Sequence, residues 1–275
     1  MLKLIIVFCL SPNIIKQAKK TDGQNNLTRN EQIKDTLRII DGHDITNGEY
    51  PFVVVLFQVV RWHKHHISRR CTASMMTKNW IITAAHCVDY LNNRKLYAWY
   101  SKYTVPPLKS KLYTLVLDIF IHPAYRTFEA DELATLVVEN DISLLRVDDI
   151  KLPSYGKVSS VDHTTMIGLA VTYVGGGVTN KPGDDEMRHI QVGEAAIIAC
   201  DVEFKELTRF LICIAPKCTN RMHRTDGGDS GGPLLYDGKI IGVLSYGVNN
   251  ERIVMDGYAP VSSYIDWIYE VTRSK

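Results

Sequence analysis

Three short stretches of the chain carry side chains that can cooperate in nucleophilic and acid–base chemistry. His86 lies in the stretch TAAHC, Asp141 in NDISLL and Ser230 in GDSGGPL. A serine hydroxyl is a weak nucleophile unless a base removes its proton, and an imidazole base needs a third group that fixes its tautomer. The three residues therefore predict covalent catalysis by Ser230, with His86 as general base and Asp141 as the group that orients it.

In their order and local sequence, these stretches resemble those of the trypsin/chymotrypsin family of serine endopeptidases. The resemblance covers residues 39–275. The spacing Gly228-x-Ser230-x-Gly232 also fits the nucleophile elbow of α/β-hydrolases, but in that fold the acid and the histidine follow the serine, whereas here both precede it. The resemblance implies an all-β fold of two packed six-stranded antiparallel β-barrels with a C-terminal helix.

The apolar pattern agrees with an all-β fold. Short apolar runs between turn residues predict strands over 52–60, 80–83, 142–147 and 239–246. Many short strands with such punctuation are typical of sandwiches and barrels. Apolar residues at helical spacing from Val261 to Val271 predict a final helix, which Ser262 or Ser263 could cap.

The N-terminal region divides into two segments ahead of the protease domain at 39–275. Residues 1–15 contain a basic start and a short apolar run, which predict a signal peptide and a secreted, extracellular protein. The alternative is a truncated or incorrect N-terminus. Residues 16–38 are polar and lack aromatic side chains, and they predict an activation propeptide.

The end of this propeptide resembles the family's activation site. Arg38 precedes the sequence IIDG, so the resemblance implies that cleavage after Arg38 frees the α-ammonium of Ile39. That group would pair with Asp229 and order the oxyanion loop. An activating protease is therefore an expected partner, beside protein or peptide substrates and protein inhibitors. The alternative is a linker arginine followed by an ordinary strand.

The resemblance also assigns roles to residues near Ser230. The backbone N–H groups of Gly228 and Ser230 would form an oxyanion hole, and glycine suits a site where the backbone must approach a ligand closely. Ser245 matches a serine that supports the catalytic aspartate. Tyr246 and Gly247 match the strand edge that binds the substrate backbone.

The substrate specificity pocket departs from the family pattern. Arg224 stands where trypsins place the aspartate that binds Lys or Arg, and Asp256 stands where the family mostly has glycine. A buried unpaired arginine is costly, so Arg224 needs a partner and Asp256 is the obvious one. Unpaired, Arg224 could bind an acidic side chain or point to solvent. Residues 172–175 replace the usual Gly-Trp-Gly, which would change the packing beneath the oxyanion loop.

The chain has six cysteines, and the resemblance pairs four of them. The implied disulfides are Cys71–Cys87 and Cys200–Cys213. The family's pocket-bracing disulfide is missing, because Asp226 occupies one of its positions and no cysteine follows Ser230. Cys218 could be a free thiol, a buried inert thiol, an intermolecular link or a partner of Cys9.

Charge and metal-ligand patterns argue against several other functions. The net charge is +2, and the basic excess lies in residues 1–38, so there is no argument for nucleic-acid or membrane binding. Residues 61–70 (RWHKHHISRR) predict a basic surface loop that could steer acidic substrates. Zinc could bind the histidines His63, His65 and His66, but no acidic or cysteine ligand lies close by. Residues 90–117 lack carboxylates, which disfavours calcium, so no metal or cofactor is expected.

The sequence therefore favours a secreted serine endopeptidase zymogen. The alternative is a catalytically weak or silent homologue that acts as a binding or regulatory protein. Such homologues usually lose a triad residue, and here His86, Asp141 and Ser230 are all present.

Overall fold

In the computed structural model, the described residues are 43–45, 48–62, 64–91, 94–129, 136–177, 187–200, 210–216, 225, 227–249 and 254–275. Their strands are β1 (His43–Asp44), β2 (Val53–Trp62), β3 (Lys64–Met75), β4 (Trp80–Thr83), β5 (Tyr97–Trp99), β6 (Tyr113–Ile121), β7 (Arg126–Glu129), β8 (Leu136–Glu139), β9 (Ser143–Val147), β10 (Lys157–Val158), β11 (Ala170–Gly175), β12 (Gln191–Ile198), β13 (Ile212–Pro216), β14 (Pro233–Tyr236), β15 (Lys239–Asn249) and β16 (Val254–Pro260). Their α-helices are α1 (Pro107–Ser110) and α2 (Ile265–Ser274). Neither of these helices has the length and apolar character needed to span a bilayer.

The first barrel closes in the strand order β2-β3-β4-β9-β6-β5. Its strands are rich in β-branched and aromatic residues, which pack well on a pleated surface. Val53 to Phe57 on β2 are fully buried, as are Trp99 on β5 and Leu144 on β9. Burial of each such side chain stabilises the fold by about 1.5–3 kcal/mol, so this core fixes the strands whose ends carry His86 and Asp141.

The second barrel is built from β11, β12, β13, β16, β15 and β14. Pairing of β12 with β13 closes the ring, while β1 extends it beside β12 and β10 pairs in parallel with β15. Tyr173, Leu234 and Tyr258 lie in its core. The predicted fold class, two six-stranded antiparallel barrels with a C-terminal helix, is confirmed.

The ends of several elements differ from the sequence prediction. The strand predicted over 52–60 runs from Val53 to Trp62, and the strand predicted over 239–246 continues to Asn249. The C-terminal segment begins as a 3₁₀ turn, Val261–Tyr264, before α2 starts at Ile265. Neither Ser262 nor Ser263 caps it, because neither segment has a side-chain cap hydrogen bond at its N-terminus.

The prediction of a basic surface loop over 61–70 is wrong. β2 and β3 form a long hairpin in which Phe57 pairs with Arg69 and Trp62 pairs with Lys64. Arg69 is buried, with 7% of its surface exposed, because backbone carbonyls receive its guanidinium N–H groups. The side chains at 60–66, and with them the zinc alternative, lie outside the described residues.

Several other predictions concern residues outside the described ranges. These are the signal peptide at 1–15, the propeptide at 16–38, Arg38, Ile39, Cys9, Cys218, Arg224 and Asp226. They remain predictions.

Candidate active site

His86 and Asp141 meet at one end of the first barrel. His86 lies in the 3₁₀ turn Ala85–Cys87 that follows β4, and Asp141 lies two residues before β9. These strands pair with Thr83 opposite Ser143, so their ends bring the two side chains together. The Nδ1 atom of His86 lies 2.7 Å from Oδ2 of Asp141, and the backbone N–H of His86 donates to Oδ1 at 2.9 Å.

Ser245 completes the surroundings of the Asp141 carboxylate. Its hydroxyl donates to Oδ2 of Asp141 at 2.6 Å. The strand pairing of β15 shifts between Leu244 and Tyr246, so Ser245 lies at an irregularity in the strand. Asp141 is only 1% exposed, and a buried carboxylate is tolerated only when hydrogen bonds replace its hydration. Three hydrogen bonds therefore hold the Asp141 carboxylate in one orientation.

Asn140 sets the backbone direction at the neighbouring aspartate. Its φ is 51°, in the left-handed region that asparagine tolerates better than most residues. Its side-chain N–H donates to the carbonyl of Ala124 at 2.9 Å, and its side-chain oxygen accepts from the Tyr264 hydroxyl at 3.3 Å. The C-terminal segment thus helps to position the turn that carries Asp141.

The surroundings of His86 make its imidazole more basic. Burial alone lowers the pKa of His86, but the hydrogen bond and charge of Asp141, together with the charge of Asp89, outweigh it and raise the pKa above its ordinary value. Asp89 accepts a hydrogen bond from the hydroxyl of Tyr125 at 2.7 Å. Asp89 was not predicted from the sequence, where its only signal is a spacing of three residues from His86.

Ser230 lies in a turn that precedes β14. The turn needs positive φ angles, 92° at Gly228 and 78° at Gly231, which glycine adopts without strain. A Cβ on Gly231 would overlap the Thr83 hydroxyl and the carbonyl oxygen of Thr72. The motif glycines are therefore required by the turn itself as well as by any chemistry.

Backbone hydrogen bonds tie this turn to two strands that adjoin the His86–Asp141 pair. The carbonyl of Ser230 accepts from the N–H of Thr72 at 2.8 Å, next to Cys71. The N–H of Gly231 donates to the carbonyl of Leu244 at 2.8 Å, next to Ser245. The turn is therefore anchored to both the disulfide strand and the strand that supports Asp141.

The two implied disulfides are present. Cys71 is bonded to Cys87, and Cys200 is bonded to Cys213. The first joins β3 to the turn that carries His86. Cys71 and Cys87 also lie close enough to His86 to resemble a metal-ligand group, but their sulfurs are bonded to each other and are not thiolate ligands.

Asp229 is buried, with 2% of its surface exposed, beside a run of three glycines. Its Oδ1 accepts from the N–H of Gly177 at 2.8 Å. A Cβ on Gly175 would overlap the carboxylate, and one on Gly177 would lie 2.6 Å from Oδ1. Gly175 and Gly177 thus lie against the Asp229 carboxylate, and the position of Gly177 was not predicted from the sequence.

The candidate specificity pocket contains Asp256 and a residue that the sequence analysis missed. The Thr225 hydroxyl donates to Oδ1 of Asp256 at 2.7 Å, and the Thr225 N–H donates to Oδ2 at 3.3 Å. Gly247 pairs with Asp256 across β15 and β16, and a Cβ at this position would lie 2.7 Å from Oδ1. Tyr246 pairs with Gly257 in the same ladder. Thr225 has no sequence signal beyond its position beside Arg224.

The chain is similar to known proteins over most of its length. The Trypsin family profile matches residues 39–268. A trypsin of Phaedon cochleariae is 28% identical over 247 residues, covering 86% of this chain and 89% of that protein. The clotting factor G beta subunit of Tachypleus tridentatus is 25% identical, covering 86% and 80%.

The solved structures that resemble this chain include that of neuropsin, a serine protease expressed in the limbic system of mouse brain. It shares the fold, with a TM-score of 0.65 at 20% identity over 84% of this chain and 99% of that one. With the family profile matching most of its length, the chain belongs to the trypsin family of serine endopeptidases.

Proposed function

We propose that this chain is a secreted, catalytically active serine endopeptidase made as a zymogen. The observation that carries the proposal is the hydrogen-bonded set of His86, Asp141 and Ser245 beside the turn of Ser230. A buried carboxylate that fixes one nitrogen of an imidazole leaves the other nitrogen to act as a base.

In this proposal Ser230 Oγ attacks the carbonyl carbon of the scissile peptide bond. His86 Nε2 accepts the hydroxyl proton and then donates it to the leaving amine, so that an acyl-enzyme remains. Water, activated by the same imidazole, hydrolyses that ester. Asp141 stays ionised throughout and stabilises the imidazolium.

The N–H groups of Gly228 and Ser230 would stabilise the oxyanion of the tetrahedral intermediate. Donors that are already oriented toward the developing charge lower the barrier without reorganising during the reaction. The positive φ of Gly228 supports this role, because it gives the peptide an orientation that other residues rarely adopt.

Activation would begin with cleavage after Arg38 by another protease. The new ammonium group of Ile39 would then pair with Asp229, whose buried carboxylate lies next to Gly228 in sequence. Secretion fits this scheme because the two disulfides persist in an oxidising compartment.

The test is covalent labelling by a fluorophosphonate, before and after trypsin cleavage of the purified protein. We expect strong labelling only after cleavage at Arg38, and none in Ser230→Ala. Arg38→Gln should remain weakly labelled after trypsin treatment. Absence of labelling in the cleaved wild type would favour the silent homologue, whereas wild-type activity in Ser230→Ala would refute the triad.

We further propose that the enzyme prefers neutral or acidic residues before the scissile bond. A pairing of Arg224 with Asp256 would neutralise the pocket, and the hydrogen bonds from Thr225 keep the Asp256 carboxylate turned toward protein donors. Cleavage of a peptide library should then show little preference for Lys or Arg. Arg224→Asp should move the preference toward basic residues, and a wild-type profile dominated by Lys and Arg would contradict the pairing.

A further inference from the structure

The buried guanidinium of Arg69 joins three separate segments of the chain. Its Nη1 donates to the carbonyl of Gly176 at 3.1 Å, and its Nη2 donates to the carbonyls of Arg188 at 3.1 Å and Tyr103 at 3.2 Å. The guanidinium carbon lies 4.7 Å from the ring centroid of Trp99. A buried cation is tolerated here because carbonyl oxygens and an aromatic face replace its hydration.

The peptide groups of Gly176 are held from both sides by strand β3. The carbonyl of Gly176 accepts from Arg69, and the N–H of Gly176 donates to the hydroxyl of Thr72 at 2.9 Å. The same hydroxyl donates to the carbonyl of Gly228 at 2.9 Å. Gly176 is therefore fixed to the first barrel and, through Thr72, to the turn that would form the oxyanion hole.

The next residue extends this connection to Asp229. The N–H of Gly177 donates to Oδ1 of Asp229 at 2.8 Å, and side chains at 175 and 177 would collide with that carboxylate. A glycine run has little conformational preference of its own, so its path must be set by external contacts. For Gly176, the middle glycine, those contacts come from Arg69 and Thr72.

We propose that Arg69 is a positioning residue for the oxyanion hole. It holds the Gly175–Gly177 segment against Asp229 and so keeps Gly228 and Ser230 in their reactive conformation. This role rests on the proposed proteolytic function, because it concerns the same turn. It does not require Arg69 to touch substrate.

Arginine suits this role better than lysine. Its planar guanidinium presents five N–H donors in a rigid fork and can stack on an aromatic face at the same time. The three acceptors at 103, 176 and 188 belong to different segments, and a single ammonium on a flexible stem cannot reproduce that arrangement. Arg69→Lys therefore keeps the charge but weakens the hydrogen bonds that hold the three segments together.

The experiment compares Arg69→Lys and Arg69→Gln with the wild type after activation. The matched control is Arg146→Lys on β9, a half-buried arginine whose Nε donates to Asp118 at 2.6 Å. We measure kcat and KM separately, together with hydrogen exchange of peptides that cover 175–177, 227–232 and, as an internal reference, strand β6 at 113–121.

For both Arg69 variants we expect kcat to fall roughly tenfold to a hundredfold, the effect of losing a charge-assisted hydrogen bond, with KM changed less than kcat. Exchange should accelerate at 175–177 and 227–232 but not in β6. Arg146→Lys should match the wild type in both measurements.

Each outcome decides the proposal. Unchanged kcat and unchanged exchange in both Arg69 variants would overturn it. Accelerated exchange throughout the first barrel, or failure of both variants to fold, would also overturn it, because the role of Arg69 would then be structural for the whole domain. If the wild type is inactive but exchange in the Arg69 variants rises selectively at 175–177 and 227–232, the positioning role of Arg69 holds and only the proposed function fails.

Discussion

Replacement of Thr72 by valine tests how strongly one hydroxyl stabilises the candidate oxyanion turn. Thr72 is fully buried on β3, and its hydroxyl both donates to the Gly228 carbonyl and accepts from the Gly176 N–H. Valine keeps the branched shape and the strand preference but has no polar group. The substitution therefore removes two hydrogen bonds while leaving packing almost unchanged.

The size of the effect follows from the burial of the two groups that lose a partner. A buried donor or acceptor without a hydrogen bond costs about 1–3 kcal/mol. The Gly176 N–H is bonded in a buried position and should incur the full cost, whereas Gly228 is half-buried and water can recover part of its loss. We expect the free energy of unfolding to fall by about 2–4 kcal/mol in Thr72→Val.

Urea unfolding of the intact, disulfide-bonded protein measures this change, and the matched control is Thr72→Ser. Serine retains the hydroxyl, so the free energy of unfolding should fall less in Thr72→Ser than in Thr72→Val. Because the hydroxyl also fixes Gly228, kcat should fall in Thr72→Val with less change in Thr72→Ser. A valine variant within about 0.5 kcal/mol of the wild type, the range of ordinary surface substitutions, with unchanged kcat, would refute the reasoning.

Two further predictions concern the imidazole. Asp89→Asn removes a charge that raises the pKa of His86, so the acid limb of the pH profile of kcat/KM should move to lower pH. The control is Asp149→Asn, which changes an exposed aspartate bonded to Lys78 and should leave the acid limb in place. Asp141→Asn should lower kcat by roughly 10⁴-fold because an amide cannot accept from both the His86 ring and its backbone N–H in the required tautomer; a loss below tenfold would contradict that role.

The candidate catalytic residues were predictable because each lies within a local motif. The TAAHC, NDISLL and GDSGGPL stretches identify His86, Asp141 and Ser230 without reference to the rest of the chain. The fold class was predictable for a related reason: alternating short apolar runs and turns extend over most of residues 39–275. These signals depend only on neighbours in sequence.

The supporting residues of the site were not predictable in the same way. Thr72 and Thr225 are ordinary residue types whose roles depend on partners far away in the sequence, such as Gly228 at a separation of 156 residues from Thr72. Asp89 lies only three residues from His86, but no motif distinguishes it from other aspartates. Arg69 was assigned to a surface loop because it is one of four Lys and Arg residues within 61–70. Arg69 is buried together with Ile67 and Cys71, two residues away on either side, and this spacing of two was the signal that the charge pattern concealed.

The arrangement of contacts suggests where activation would act. His86 and Asp141 are held by the first barrel and by Ser245, and none of their hydrogen bonds among the described residues involves the segment at 175–177. Asp229 and Gly228, in contrast, are bonded through that segment and through Thr72. A new ammonium group delivered to Asp229 would therefore change the oxyanion turn before it changed the His86–Asp141 pair. Under the proposed function, Arg69 and Thr72 hold the fixed side of that turn, and the cleaved N-terminus would complete the other side.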